Sequence, residues 1–180
     1  IDCTYAGDHA CTAAAFHEVK DIFERDAWFR WRYNIRLAAA MAEHWLRQGD
    51  LDKAREHVNR LHATATEHEV HKYIAVAHGL MARVSIASGD LEAAERSFEA
   101  ALAELDQYPV PVVRWKILAG SARLKLKQGD TEAAKEAFIK SLEIVKTIAA
   151  NVSDEKLRAT FLNGFSTDYA DLHNLWSDVG

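Results

Sequence analysis

The dipeptide Gly-Asp stands at positions 49–50, 89–90 and 129–130, so the chain repeats itself every 40 residues. A fixed period of this length marks stacked supersecondary units and argues against a single-core globular fold, because each unit buries its apolar face only against its neighbours. The match extends past the dipeptide: residues 46–54 read LRQGDLDKA, residues 86–94 IASGDLEAA and residues 126–134 LKQGDTEAA. A repeat architecture also points toward binding rather than catalysis.

The local chemistry of the dipeptide predicts paired helices. Glycine ends a helix in the left-handed conformation without a Cβ penalty, and the following Asp accepts hydrogen bonds from the free amides that open the next helix. Asp52, Glu92 and Glu132 add negative charge in the first turn, where the helix dipole favours it. First helices are expected at about 29 to 48, 70 to 88 and 112 to 128, and second helices at about 51 to 67, 91 to 107 and 131 to 150. Small residues recur where the helices must approach, at Ala42, Ala82 and Ala122 in the first helices and Ala54, Ala94 and Ala134 in the second. Val58, Phe98 and Phe138 fill the gap one turn later. Pro109-Val110-Pro111 makes a stiff connection between the second and third pairs, because proline cannot sit inside a helix.

The flanks extend the pattern. Cys11 to Arg25 is amphipathic, with Ala15, Val19, Ile22 and Phe23 on one face, and Ser153-Asp154 is an N-cap for a helix to about Leu162. A further short helix over Thr167 to Trp176 would help cap the open end of the stack. The expected division is one domain, 1–180: an N-terminal helix over 1–28, repeats at 29–68, 69–108 and 109–150, and capping helices over 151–180. The chain opens on Ile1 with a helical pattern already under way by Cys11, so it is expected to be a piece of a longer protein.

Composition excludes several classes. No apolar stretch approaches the ~20 residues of a membrane helix, and no signal core is present. Two cysteines, Cys3 and Cys11, are too few for a disulfide scaffold and lack zinc spacing, so a reducing cytoplasm is the expected compartment. Nothing matches a phosphate-binding loop, a Ser-His-Asp order or a paired-carboxylate site, so no enzyme activity and no cofactor are expected. The overall charge of −5 conceals two layers. The first helices hold eleven Lys or Arg against one acid, Glu43, whereas residues 50–67, 90–107 and 130–147 hold seven basic and fourteen acidic residues.

The run Gly-Asp-x-x-x-Ala, followed four residues on by Val58, Phe98 or Phe138 and preceded by a small residue seven positions before each glycine, resembles the tetratricopeptide repeat. The period exceeds the usual ~34 and implies longer helices; HEAT and armadillo repeats share a period near 40 but fit the small-residue pattern less well. The resemblance implies an all-α, right-handed solenoid of antiparallel helical hairpins. More narrowly, Trp28 to Arg36, the repeats and Val152 to Leu162 look like the C-terminal repeat region of bacterial multidomain signalling ATPases, without any part of their catalytic domains. After Leu162 the sequence no longer reads like that family.

In such arrays the first helices line a concave groove. Carrying the groove positions across selects Arg36, Ala39, Glu43, Leu46 and Arg47, then Val76, Gly79, Arg83, Ile86 and Ala87, then Lys116, Ala119, Arg123, Leu126 and Lys127, with Arg32 and Lys72 one turn earlier. The resemblance thus implies a noncatalytic protein-interaction module whose peptide-binding groove uses Arg32, Arg36, Glu43, Arg47, Lys72, Arg83, Lys116, Arg123 and Lys127 to hold an acidic or C-terminal segment. Small residues on its floor are expected to leave room for a ligand backbone, and the cations to supply donors for carboxylates. Reversing Arg83 and Arg123 to Glu is expected to abolish binding with helicity unchanged. The bland alternative is that these cations simply pair with neighbouring acidic helices. Other readings are a sensor binding a small anionic ligand between helices, self-association through an open end of the stack, and RNA binding, which the acidic second helices oppose.

Two clusters remain. His68-Glu-Val-His71, with His57 and His62 nearby, reads as solvated loop histidines rather than a metal site, since 68 and 71 straddle a helix break. His78 aligns with Ala38 and Leu118 and is expected to be a hydrogen-bonded core residue. Trp28, Phe29, Trp31 and Tyr33 straddle a helix start, so at least one ring is expected to face outward or pack on the preceding helix.

Overall fold

The structure, a computed structural model, describes residues 8–25 and 30–175. Eight α-helices follow in order: α1 (His9–Arg25), α2 (Arg30–Gln48), α3 (Leu51–Glu67), α4 (His71–Ala87), α5 (Leu91–Gln107), α6 (Pro111–Gln128), α7 (Thr131–Ala150) and α8 (Glu155–Asp168). A 3-10 segment, Ala170–Leu175, ends them, and there is no strand among the described residues.

Each hairpin turn is built from the chemistry of its dipeptide. Gly49, Gly89 and Gly129 take φ of 75°, 84° and 83°, a region that a Cβ would strain. The carboxylates of Asp50, Asp90 and Asp130 accept the backbone N–H of Lys53, Ala93 and Ala133 at 3.1, 2.9 and 3.0 Å. Within each pair, Ala42, Ala82 and Ala122 face Ala54, Ala94 and Ala134, all buried, and Val58, Phe98 and Phe138 close the gap beside them. The three pairs, α2–α3, α4–α5 and α6–α7, then stack in order.

The stack has an inner and an outer row. Helix α4 packs directly against both α2 and α6, whereas the second helices α3, α5 and α7 make no comparable contact with one another among the described residues. First helices that approach more closely than second helices lie on the inner side of a curved array. Gly120 allows one of the closest approaches, since a Cβ there would meet ring atoms of Phe98 at 2.8 and 2.9 Å.

Three local expectations need correction. Pro111 is not outside the third pair but is the first residue of α6, where its missing N–H leaves no hydrogen bond unmade. Helix α8 does not stop near Leu162; it continues through Asn163 and Gly164 to Asp168. The gain is Phe165, buried against Trp115 at 5.6 Å and stacked on Phe138 at 6.0 Å between ring centroids. In α1 the packed stripe is Thr12, Phe16 and Val19, while Ala15 and Ile22 are exposed. Phe16 sets that rotation by meeting the buried His44 ring edge-on at 5.5 Å; the Phe23 side chain lies outside the described residues. Cys11 is disulfide-bonded, a state favoured by oxidising compartments, so the cysteines lend no support to the cytoplasmic expectation.

Candidate functional site at the inner helices

The 40-residue period places equivalent side chains of α2, α4 and α6 in rows across the inner side. The central row is Glu43, Arg83 and Arg123. Glu43 accepts both arms of Arg83, with Nη2 3.0 Å from Oε1 and Nη1 on Oε2, and also accepts Nε of Arg47 at 3.2 Å. Burial by itself would raise the Glu43 carboxyl, but the hydrogen bonds and charge of Arg83, with those of Arg47, outweigh it and hold the group below its ordinary 4.5. The first and second pairs are thus joined by a two-pronged ion pair.

Arg123 holds a segment from the chain's own C-terminal side. Its Nε donates to Asp171 Oδ2 at 2.7 Å, and its Nη2 donates to Asp171 Oδ1 at 2.6 Å and to the Asp168 carbonyl at 2.5 Å. The guanidinium also lies 4.5 Å from the centroid of the Tyr169 ring. The hydrogen bonds from Arg123 depress the Asp171 carboxyl below its usual value, and the same bonds raise Arg123. Burial raises the Tyr169 phenol, and the charge of Arg123, against which the ring lies, works against that rise. Beneath it Tyr169 meets Trp115 edge-on at 5.6 Å, and Leu172 is fully buried in the cluster of Trp115, Ala119, Phe138 and Phe165.

The next row, Ala39, Gly79 and Ala119, does not form the open floor expected of it. Gly79 is buried, and a Cβ there would stand 2.2 Å from Ile117 Cδ1, while Ala119 is covered by the C-terminal cluster. Their small size serves helix-to-helix and helix-to-segment packing. The remaining selected cations stay at the surface. Arg32, Arg36, Arg47, Lys72, Lys116 and Lys127 are exposed, and Arg36, Lys72, Lys116 and Lys127 form no ion pair among the described residues. Arg32, Lys72 and Lys116 lie 5.6, 5.4 and 5.3 Å from the ring centroids of their neighbours Trp31, Tyr73 and Trp115.

Part of the charge layering is structural. Arg114 pairs with Asp106 at 2.7 Å, and Lys125 pairs with Glu95, which also accepts Gln128 Nε2 at 3.0 Å, so α6 is tied to the acidic α5. Arg83 and Arg123 are committed to intrachain carboxylates as well. Reversing them to Glu would set like charges against Glu43 and Asp171 and strike the fold, so the expectation of unchanged helicity for that double variant is withdrawn.

The histidines serve separate contacts. His68 stacks on Trp31 at 4.4 Å; His71 Nδ1 lies 2.6 Å from Glu104 Oε1, and its ring stacks on Tyr108. His78 is half-buried and edge-on to His62 at 4.9 Å, a ring contact rather than the hydrogen bond expected, and burial lowers its pKa. No group of three or more His, Cys, Asp or Glu is arranged to hold a metal ion among the described residues. Of the aromatic cluster, Trp31 is half-buried and Tyr33 exposed; Trp28 and Phe29 lie outside the described residues.

Sequence reasoning missed Tyr169, Asp171 and Leu172. Their signal is the acidic and aromatic run at 168–172, opposite in sign to the inner helices, in a stretch that follows no repeat.

One family model of the tetratricopeptide repeat matches residues 35–60 and 75–100, and a second matches 116–144. Each match runs from a first helix across its Gly-Asp turn into the second helix. No curated protein and no solved structure is significantly similar to the chain.

Proposed function

Because the chain is a tetratricopeptide repeat protein, a scaffold for binding other proteins, we propose that α2, α4 and α6 form a groove that captures an acidic or C-terminal peptide segment. The module is noncatalytic in this reading. The supporting observation is the chemistry of Arg123, which grips a carboxylate with two hydrogen bonds, a carbonyl with another and an aromatic face at once. A partner segment would meet the same kind of donors at Arg36, Lys72, Lys116 and Lys127, with Arg32 and Arg47 beside them. The setting we assign, the sensory or scaffolding part of a bacterial signalling protein, rests on the resemblance of residues 28–36 and 152–162 to such proteins.

The test uses cations that form no ion pair among the described residues. A labelled acid-rich peptide with a free C-terminal carboxylate is titrated against the chain and against Arg36→Glu, Lys116→Glu, followed by fluorescence anisotropy. We expect affinity in the micromolar range, on the order of −8 kcal/mol, that weakens with salt and drops about tenfold or more in the variant. Equal binding by a variant with unchanged circular dichroism would refute the groove.

A further inference from the structure

The third-repeat end of the inner row is filled by residues 168–172. Asp171 and the Asp168 carbonyl satisfy Arg123, Tyr169 lies against its guanidinium, and Leu172 is fully buried beside Trp115 and Ala119. The segment begins with the last residue of α8 and enters the 3-10 helix, with Tyr169 N–H donating to the Phe165 carbonyl at 3.1 Å and Leu172 N–H to the Tyr169 carbonyl at 3.0 Å.

We infer that residues 168–172 are a tethered occupant of this end of the groove, and that the partner segment which displaces them carries the same chemistry: an aromatic ring, a carboxylate two residues later and a leucine next to it. The inference rests on the groove reading above and deepens it, since it names the partner's local pattern and makes its binding competitive with the chain's own segment. Three features mark the contact as exchangeable. The segment is five residues at the junction of α8 and the 3-10 helix, beyond the long helices of the stack, so few backbone hydrogen bonds hold it. The Asp171 side chain is 55% exposed and that of Arg123 36%, so incoming water and carboxylates can reach the ion pair. The anchors, one bidentate arginine contact and one leucine socket, are of the kind a short peptide can reproduce. A tethered segment competes at an effective concentration in the millimolar range, so it suppresses weak acidic ligands and yields to strong ones.

The probe is a labelled synthetic peptide with the sequence of residues 166–175, titrated against the full chain and against Asp171→Asn, which removes the charge and keeps the side-chain shape. The released variant should bind the peptide at least about tenfold more tightly than the unmodified chain. A second readout needs no variant: at saturating acid-rich peptide, hydrogen exchange at residues 169–172 of the unmodified chain should speed up while α6 stays protected. Equal peptide affinity of the two forms, with exchange unchanged, overturns the tethered occupant. If the acid-rich peptide still binds in that case, the groove reading survives alone; if neither peptide binds either form, both fall.

Discussion

Glu43 is the lone acid of the first helices, and Arg83 and Arg47 both claim it. Its carboxyl titrates below 4.5 in the folded chain, so the stabilisation is complete above that value and is lost as pH falls through the depressed value. Thermal melts of the unmodified chain should therefore lose stability progressively below pH 4.5, and Glu43→Gln, which has no charge to lose, should give a shallower profile. Parallel profiles would remove Glu43 from the account. A double-mutant cycle with Arg83→Gln should return a coupling of about 0.5–1 kcal/mol, because both side chains remain partly exposed. Two glycines separate packing from propensity at the same scale. Alanine at either gains helix propensity of about 1 kcal/mol. At Gly120 the new Cβ meets the rigid Phe98 ring, so Gly120→Ala should destabilise by about 1 kcal/mol net. At Gly79 it meets only the mobile tip of Ile117, so Gly79→Ala should be close to neutral. Denaturant midpoints that rank the two in the other order would contradict these contacts.

The hairpin is the unit in which sequence and structure agree most closely, because its determinants are all within a few residues. A left-handed glycine, an aspartate cap and facing alanines specify where one helix stops and the next begins without reference to the rest of the chain. Forcing alanine into the φ of 83° at Gly129 should cost about 1–2 kcal/mol, and Asp90→Ala about 1 kcal/mol, both read by urea denaturation. The terminal elements behave differently. Helix α8 runs past Leu162 because Phe165 finds Trp115 and Phe138, and α1 turns Phe16 rather than Ile22 inward because His44 offers its ring. Neither partner lies within the element that responds to it, so periodicity in these segments was a weaker guide than in the repeats.

Across the molecule, stability in a repeat array is a sum of unit and neighbour terms, and the middle pair has neighbours on both sides. Helices α4 and α5 should show the slowest amide exchange, and α8 with the 3-10 segment the fastest. Uniform protection from α2 to the end would mean that the stack opens as one body. The sequence alone determined the repeat, its period, its three hairpins and the separation of basic from acidic helices, since these depend on spacing and on local backbone chemistry. Only the tertiary structure decided what each cation holds. Glu43 meets Arg83 from one period away, Gly79 is used up against Ile117, and Arg123 is occupied by Asp171 and Tyr169 from beyond the last repeat. Contacts between residues far apart in the chain depend on how the helices curve and pack, and local spacing carries no record of them.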